Sequence, residues 1–306
     1  CIWTNNTWLY VGREGKGTLT IENGGQVLSE HSIIANEAGS SGEVAVSGAG
    51  SKWTNSGNLA VGNSGDAVLA VSGGGAVSNV NAFIGYYAVG SSEVTVDGAG
   101  STWTNSGELY IGVWGGATLG ITGGGAVSNT IGHIGRHDTG DGEVTVSGAN
   151  STWTNSDWLH VGHSGTGELT VENGGAVENV IGLIGSAADS AGTVTVRDAD
   201  SIWTNTNNMA VGYSGDGTLT IEDGSVLAVD YRDGAGNGSK RDIRPLGLWF
   251  WGKVWTLVAW CELRNDFRAF RIDRIAGITP SGRTFRPERG KQLADFYRTW
   301  EAHGRS

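Results

Sequence analysis

Cysteine, proline and methionine are nearly missing from this 306-residue chain, which holds two, three and one of them. Two cysteines, Cys1 and Cys261, exclude a disulfide framework. Prolines at 245, 280 and 287 are too few for collagen or a proline-rich linker. No apolar run approaches the roughly 18 residues that a membrane helix needs. No secretory leader is visible and the first residue is not Met, so the sequence reads as a fragment or a processed product. Glycine, by contrast, supplies 53 residues. Thirteen tryptophans and 38% hydrophobic residues exclude simple disorder. Glycine at this density punctuates apolar segments wherever the chain turns tightly.

The net charge of −11 conceals two unlike parts. Residues 1–230 hold 5 Lys+Arg against 23 Asp+Glu, whereas residues 231–306 hold 15 against 8. Forty-four of the glycines lie in the first part. This asymmetry predicts two units, 1–225 and 226–306, and argues against nucleic acid as a partner of the first.

The first unit is an internal repeat. Trp-Thr-Asn recurs at Trp3, Trp53, Trp103, Trp153 and Trp203, a step of 50. A triplet such as Leu69-Ala70-Val71 or Val94-Thr95-Val96 recurs nine times at a step of 25. A second segment ends in Val-Gly or Ile-Gly, and a third centres alternately on Val and Trp. Three short segments of period-2 alternation between Gly/Ser/Asn turns make one 25-residue coil. The fold class expected is all-β: a parallel β-helix, or β-solenoid, of about nine coils. Trp stacked over Val explains the true period of 50, since Trp over Trp at every coil would overfill the core. Asn55, Asn79, Asn105, Asn129, Asn155, Asn179 and Asn205 follow each Val or Trp by two and predict an amide ladder from coil to coil. The pattern of Val/Ile-Gly, Gly-x-Leu-Thr-Val and Ser-Gly-Ala-Gly-Ser-x-Trp-Thr-Asn resembles bacterial autotransporter passengers and PEP-CTERM-associated repeat proteins. That resemblance implies export and a cell-surface or extracellular partner.

Chemistry on the rod is expected to be absent. Glu172, Arg197 and Glu222 stand 25 apart as a surface salt ladder rather than a catalytic group. His133 and His160 occupy equivalent positions, with His137 and His163 nearby, but without an apparent third ligand no metal site is expected. Gly65-Asp66 and Gly215-Asp216 read as turns, not calcium loops. Tyr10, Phe83 and Tyr110 are candidates for an aromatic stripe. No enzyme activity and no cofactor are expected, the competing reading being a carbohydrate-active enzyme built on the β-helix.

In the second unit the 25-residue register stops. Val226–Tyr231 reads as a strand and 234–238 as a hairpin loop. Two β-rich runs, 248–251 and 254–260, flank Gly252-Lys253, and Leu293, Phe296, Tyr297 and Trp300 lie at helical spacing after Pro287. A small β-barrel with a closing helix is expected. The runs Arg244–Leu248, Trp255–Arg264 and Asp266–Ile275 resemble the WYL domain of bacterial transcriptional regulators of the YafY type, with Thr256 in place of the central Tyr. The resemblance implies an SH3/Sm-like barrel that senses a nucleotide or single-stranded nucleic acid through Arg264, Arg268, Arg271 and Arg274, with Trp255 in its core. Four arginines beside Phe267 and Phe270 would supply forks for phosphate and rings for bases. Cys261 is expected to be a buried thiol. The two resemblances imply different compartments, cell surface for the rod and cytoplasm for the tail.

Overall fold

The computed structural model describes residues 1–302 other than 88, 89, 223, 235, 237, 252, 253, 286 and 287, with side chains outside 248–251 and 300–302. Its backbone packing divides it into Cys1–Ile221 and Glu222–Ser306. Among the described residues no helix is long and apolar enough to cross a membrane.

The first unit is a parallel β-solenoid of about nine turns. One full coil runs through Ser41–Ser47, Lys52–Asn55 and Leu59–Val61, and the next through Asp66–Ser72, Ala76–Asn79 and Ala82–Ile84. The seven-residue strands and their counterparts stack into one nine-stranded parallel sheet. Its register keeps a step of 25, as in Val44↔Leu69 and Val94↔Leu119. The other two strands of each coil form separate ladders, joined into one 16-stranded sheet by Gln26–Ile34, which spans both. Alternation decides facing: in Asp66–Ser72, Ala67, Leu69 and Val71 are buried while Asp66 and Val68 face out.

The Trp–Val alternation holds in register, with Trp103 flanked by Val77 and Val127. All three are within 1% of full burial. Val is only part of the compensation. On the neighbouring strand, Leu109 lies between Ala82 and Gly132, and Leu159 between Gly132 and Gly182. A Cβ at Gly132 would stand 2.9 Å from both the Trp153 ring and Leu159 Cδ1. Small residues on two strands of each Val coil therefore make room for one indole and one Leu on the Trp coil.

The predicted Asn ladder exists as separate pairs rather than a continuous run. Asn79 Nδ2 donates to Asn105 Oδ1, Asn129 to Asn155 and Asn179 to Asn205, each at 2.6 Å. The lower Asn of each pair also accepts an indole N–H, from Trp103, Trp153 and Trp203 respectively, at 2.7–2.8 Å. The amides thus serve the buried tryptophans as well as the stacking.

The second unit is a five-stranded antiparallel sheet in the order Asp266–Arg271, Val254–Cys261, Gly238–Trp251, Ser225–Arg232, Ile275–Thr284. Among the described residues no ladder joins its first strand to its last. The expected run 248–251 continues a 14-residue strand, which bulges between Pro245 and Gly247 because proline has no N–H to offer the ladder. The expected hairpin loop at 234–238 and the turn at 252–253 include residues outside those described. Val229, Ile243, Leu257, Ala259, Cys261 and Phe270 form the core, with the Cys261 thiol free and fully buried. Trp255 is not in that core but 53% exposed. It shares the inward face with Leu257, Ala259 and Cys261 but lies one step beyond Leu257, where Phe270 ends the packed layer. One short helix, Leu293–Ala302, follows. Pro287 is outside the described residues. The first turn of the helix is fixed instead by Asp295, whose carboxylate accepts the backbone N–H groups of Gly290 and Gln292 just before it, at 2.9 and 3.0 Å.

Candidate functional site

The antiparallel register of the second unit brings three arginines to one concavity of about 370 Å3. Arg241 comes from the Gly238–Trp251 strand, Arg264 from the tight turn after Cys261, and Arg268 from the Asp266–Arg271 strand. Tyr231, Asp233, Ser239 and Phe270 complete the lining. Asn265 takes a left-handed conformation, φ 48°, at the turn that carries Arg264.

The three cations differ in how far they are already satisfied. Arg264 has no carboxylate partner among the described contacts, and it is exposed. Arg241 Nε donates to Ser239 Oγ at 3.1 Å. Arg268 donates to Asp266 Oδ2 at 2.7 Å and to the Phe267 carbonyl at 2.9 Å. Such a half-satisfied group of forked donors suits an oxyanion.

Of the remaining sequence candidates, only Phe270 borders the concavity. Arg271 is held by Asp273 in a two-point pair at 3.0 and 2.7 Å, which keeps the Asp273 carboxyl below its ordinary range. Neither Arg271 nor Arg274 lines the concavity. Phe267 is not free to stack on a base: it packs edge-on between Trp260 and Phe296, at 5.1 and 5.7 Å. Phe270 lies on the opposite face, packed edge-on with Tyr231 at 5.1 Å. Arg241 was missed because its neighbour in space is 23 residues away, and only strand pairing brings them together.

A larger concavity of about 580 Å3 lies along Asp230, Lys240, Asp242, Glu262 and Arg283. Apart from Arg241, which borders this concavity too, its charges are already spent on one another. Arg283 bonds Asp242 and Glu262 at 2.7 and 2.8 Å, and Arg244 bonds Glu262 and Glu288 at 3.1 and 3.2 Å. Burial works to raise Glu262, but the hydrogen bonds from Arg283 and Arg244 hold it below its ordinary range. This is a structural network rather than a receptor for a ligand.

On the rod, Arg197 bonds Glu172 at 2.5 and 2.9 Å, and no ion pair reaches Glu222 among the described contacts. The aromatic stripe is real for Phe83 and Tyr110, which stack at 5.0 Å, but Tyr10 is separated from them by Ile33 and Ala60 and stacks with Trp8. The stack continues through His133 and His160, at 4.7 and 5.0 Å. His133 is buried, 6% exposed, and the turn after the next strand brings the His163 ring beside both His133 and His160.

Comparison with known proteins places a WYL domain at residues 219–280. One solved structure, the proteasome accessory factor B/C (PafBC) of Arthrobacter aurescens, is 31% identical over 20% of this chain and 10% of its own, with a TM-score of 0.20. The chain thus spans about a tenth of that protein's length.

Proposed function

We propose that the second unit is a ligand-sensing module that takes a phosphate-bearing ligand, a nucleotide or the end of a single strand, at Arg241, Arg264 and Arg268. The observation that carries this reading is the convergence of these three guanidinium groups on one concavity, with Arg264 lacking a carboxylate partner among the described contacts. The WYL match over 219–280 supports it, because that domain's resemblance implies an anionic ligand bound through arginines. The rod acts without catalysis, as an extended repeat scaffold. Its resemblance to autotransporter and PEP-CTERM-associated repeats favours a surface role, and the WYL domain favours an intracellular, regulatory one. Fractionation of cells expressing the natural gene separates the two compartments.

The binding test uses the whole chain and a fluorescent mononucleotide and short single strand at moderate salt. Arg264→Ala and Arg241→Ala are expected to weaken binding at least tenfold, and Arg271→Ala to leave it within a factor of two. Equal affinity in all three variants, or no saturable binding by the unaltered chain, overturns the reading.

A further inference from the structure

Three imidazoles from two successive coils converge on one place. One nitrogen from each of His133, His160 and His163 lies within 4.8 Å of the other two. His133 and His160 are direct partners on the parallel ladder and stack at 5.0 Å. His163 reaches the same place because Gly162, at φ +69°, turns the chain immediately after the strand. A Cβ at Gly162 would stand 2.3 Å from the Ala191 carbonyl oxygen, so only glycine allows this turn. The His163 ring then sits 5.2 Å from His133 and 4.6 Å from His160.

A second observation concerns the tautomer of His133. Its Nε2 lies 3.2 Å from Glu108 Oε2, and a carboxylate only accepts, so Nε2 carries the proton. The lone pair is left on Nδ1, which is buried and has no hydrogen-bond partner. A buried acceptor without a donor is unfavourable, because it has given up water and gained nothing in exchange. A carboxylate behind a histidine, with the other ring nitrogen free, is how proteins orient imidazole toward a metal.

We infer that His133, His160 and His163 form a binding site for one divalent transition-metal ion of the imidazole-preferring class, with Glu108 orienting His133. Burial first, and then the neighbouring imidazoles and Arg136, pull the three histidines below their ordinary value, His133 to about 2 and the others to about 4. All three are neutral at pH 7, the form that ligates. Nitrogens around a tetrahedral ion at ~2.1 Å stand roughly 3.4 Å apart, so the rings must tilt inward. His160 and His163, only partly buried, have room to do so. Arg136 is the charged competitor: its guanidinium donates to His163 Nδ1 at 3.0 Å, where Ser164 Oγ also lies at 3.1 Å, while Ser186 Oγ lies 3.0 Å from His160 Nδ1. Three nitrogens leave a fourth position for water or a partner's donor group.

The test titrates Zn2+ into the whole, chelator-stripped chain at pH 7.5 by calorimetry. One equivalent is expected, with affinity reduced at least tenfold in His160→Asn and in His163→Asn. Arg136→Ala is expected to bind more tightly, and His137→Asn, whose ring stacks on Trp114 instead, to bind unchanged. Co2+ titration of the unaltered chain gives a reading independent of any variant, since visible bands growing to one equivalent report nitrogen ligation. Absence of those bands, or equal Zn2+ affinity in the unaltered chain and both histidine variants, overturns the inference.

Discussion

Trp153 Nε1 donates to Asn129 Oδ1 at 2.7 Å, from one coil to the coil before it. Asn129 in turn donates to Asn155, so one amide satisfies the indole and ties two coils. Asn129→Ala leaves the fully buried indole N–H without an acceptor, at a cost of about 1–3 kcal/mol. The expected result is a lower midpoint of thermal unfolding with the Trp fluorescence of the folded state retained. An unchanged midpoint would show that the bond contributes nothing.

The same unit is incomplete in the first coils. The position equivalent to Asn79 and Asn129 is Ser29, and Trp53 Nε1 is buried without a partner. Ser29 and Ser32 instead both donate to Asn55 Oδ1, at 2.7 and 2.5 Å. Replacing Ser29 by Asn and Ser32 by Gly copies the arrangement at Asn129 and Gly132. This double change is expected to stabilise the N-terminal coils by about 1 kcal/mol. Slower hydrogen exchange at Trp53 would show it.

Two glycines on the rod should answer alanine in opposite ways. At Gly132 a Cβ would stand 2.5 Å from Asn155 Oδ1 and 2.9 Å from the Trp153 ring. At Gly120 it would meet nothing within 4 Å. Gly132→Ala is therefore expected to destabilise by roughly 1–3 kcal/mol through overpacking. Gly120→Ala is expected to stabilise by about 0.5–1 kcal/mol through the lost freedom of the unfolded chain. Denaturant midpoints of the two single variants decide the matter.

Acid should loosen the rod through its histidines. His133, His160 and His163 titrate near 6.5 when unfolded but at about 2, 4 and 4 when folded. Below pH 6.5 the unfolded chain binds protons that the folded chain refuses, so stability falls as pH drops. Above that value both states are neutral and the histidines contribute no slope. Melting temperature is expected to be flat above about pH 7 and to fall between pH 6.5 and 4. His133→Phe, which keeps the ring stack, should make that fall shallower. An equal slope in this variant would place the acid sensitivity elsewhere.

The solenoid was legible because in-register parallel stacking makes residues 25 apart into neighbours. Periodicity alone then implies the coil, the inward triplets and the approach of the Asn side chains. The candidate sites were less legible. His163 belongs to a turn, and the direction of its side chain depends on the left-handed Gly162 rather than on a spacing. In the tail, four arginines close in sequence suggested one basic face, yet only Arg264 and Arg268 line the concavity with Arg241. Arg271 lies three residues beyond Arg268, on the opposite face of an alternating strand, and is neutralised by Asp273.

The sequence by itself determined the number of coils, the alternation of Trp with Val and the identity of the inward residues. Each follows from a repeat length and a period of two sustained over nine coils. Only the tertiary structure decided that Asn129 serves the Trp153 indole, that Gly132 makes room for that ring, and that His163 and Arg241 join their sites. Those relations depend on hydrogen-bond direction, residual volume and antiparallel register. The repeat period brings residues near one another but specifies none of these three.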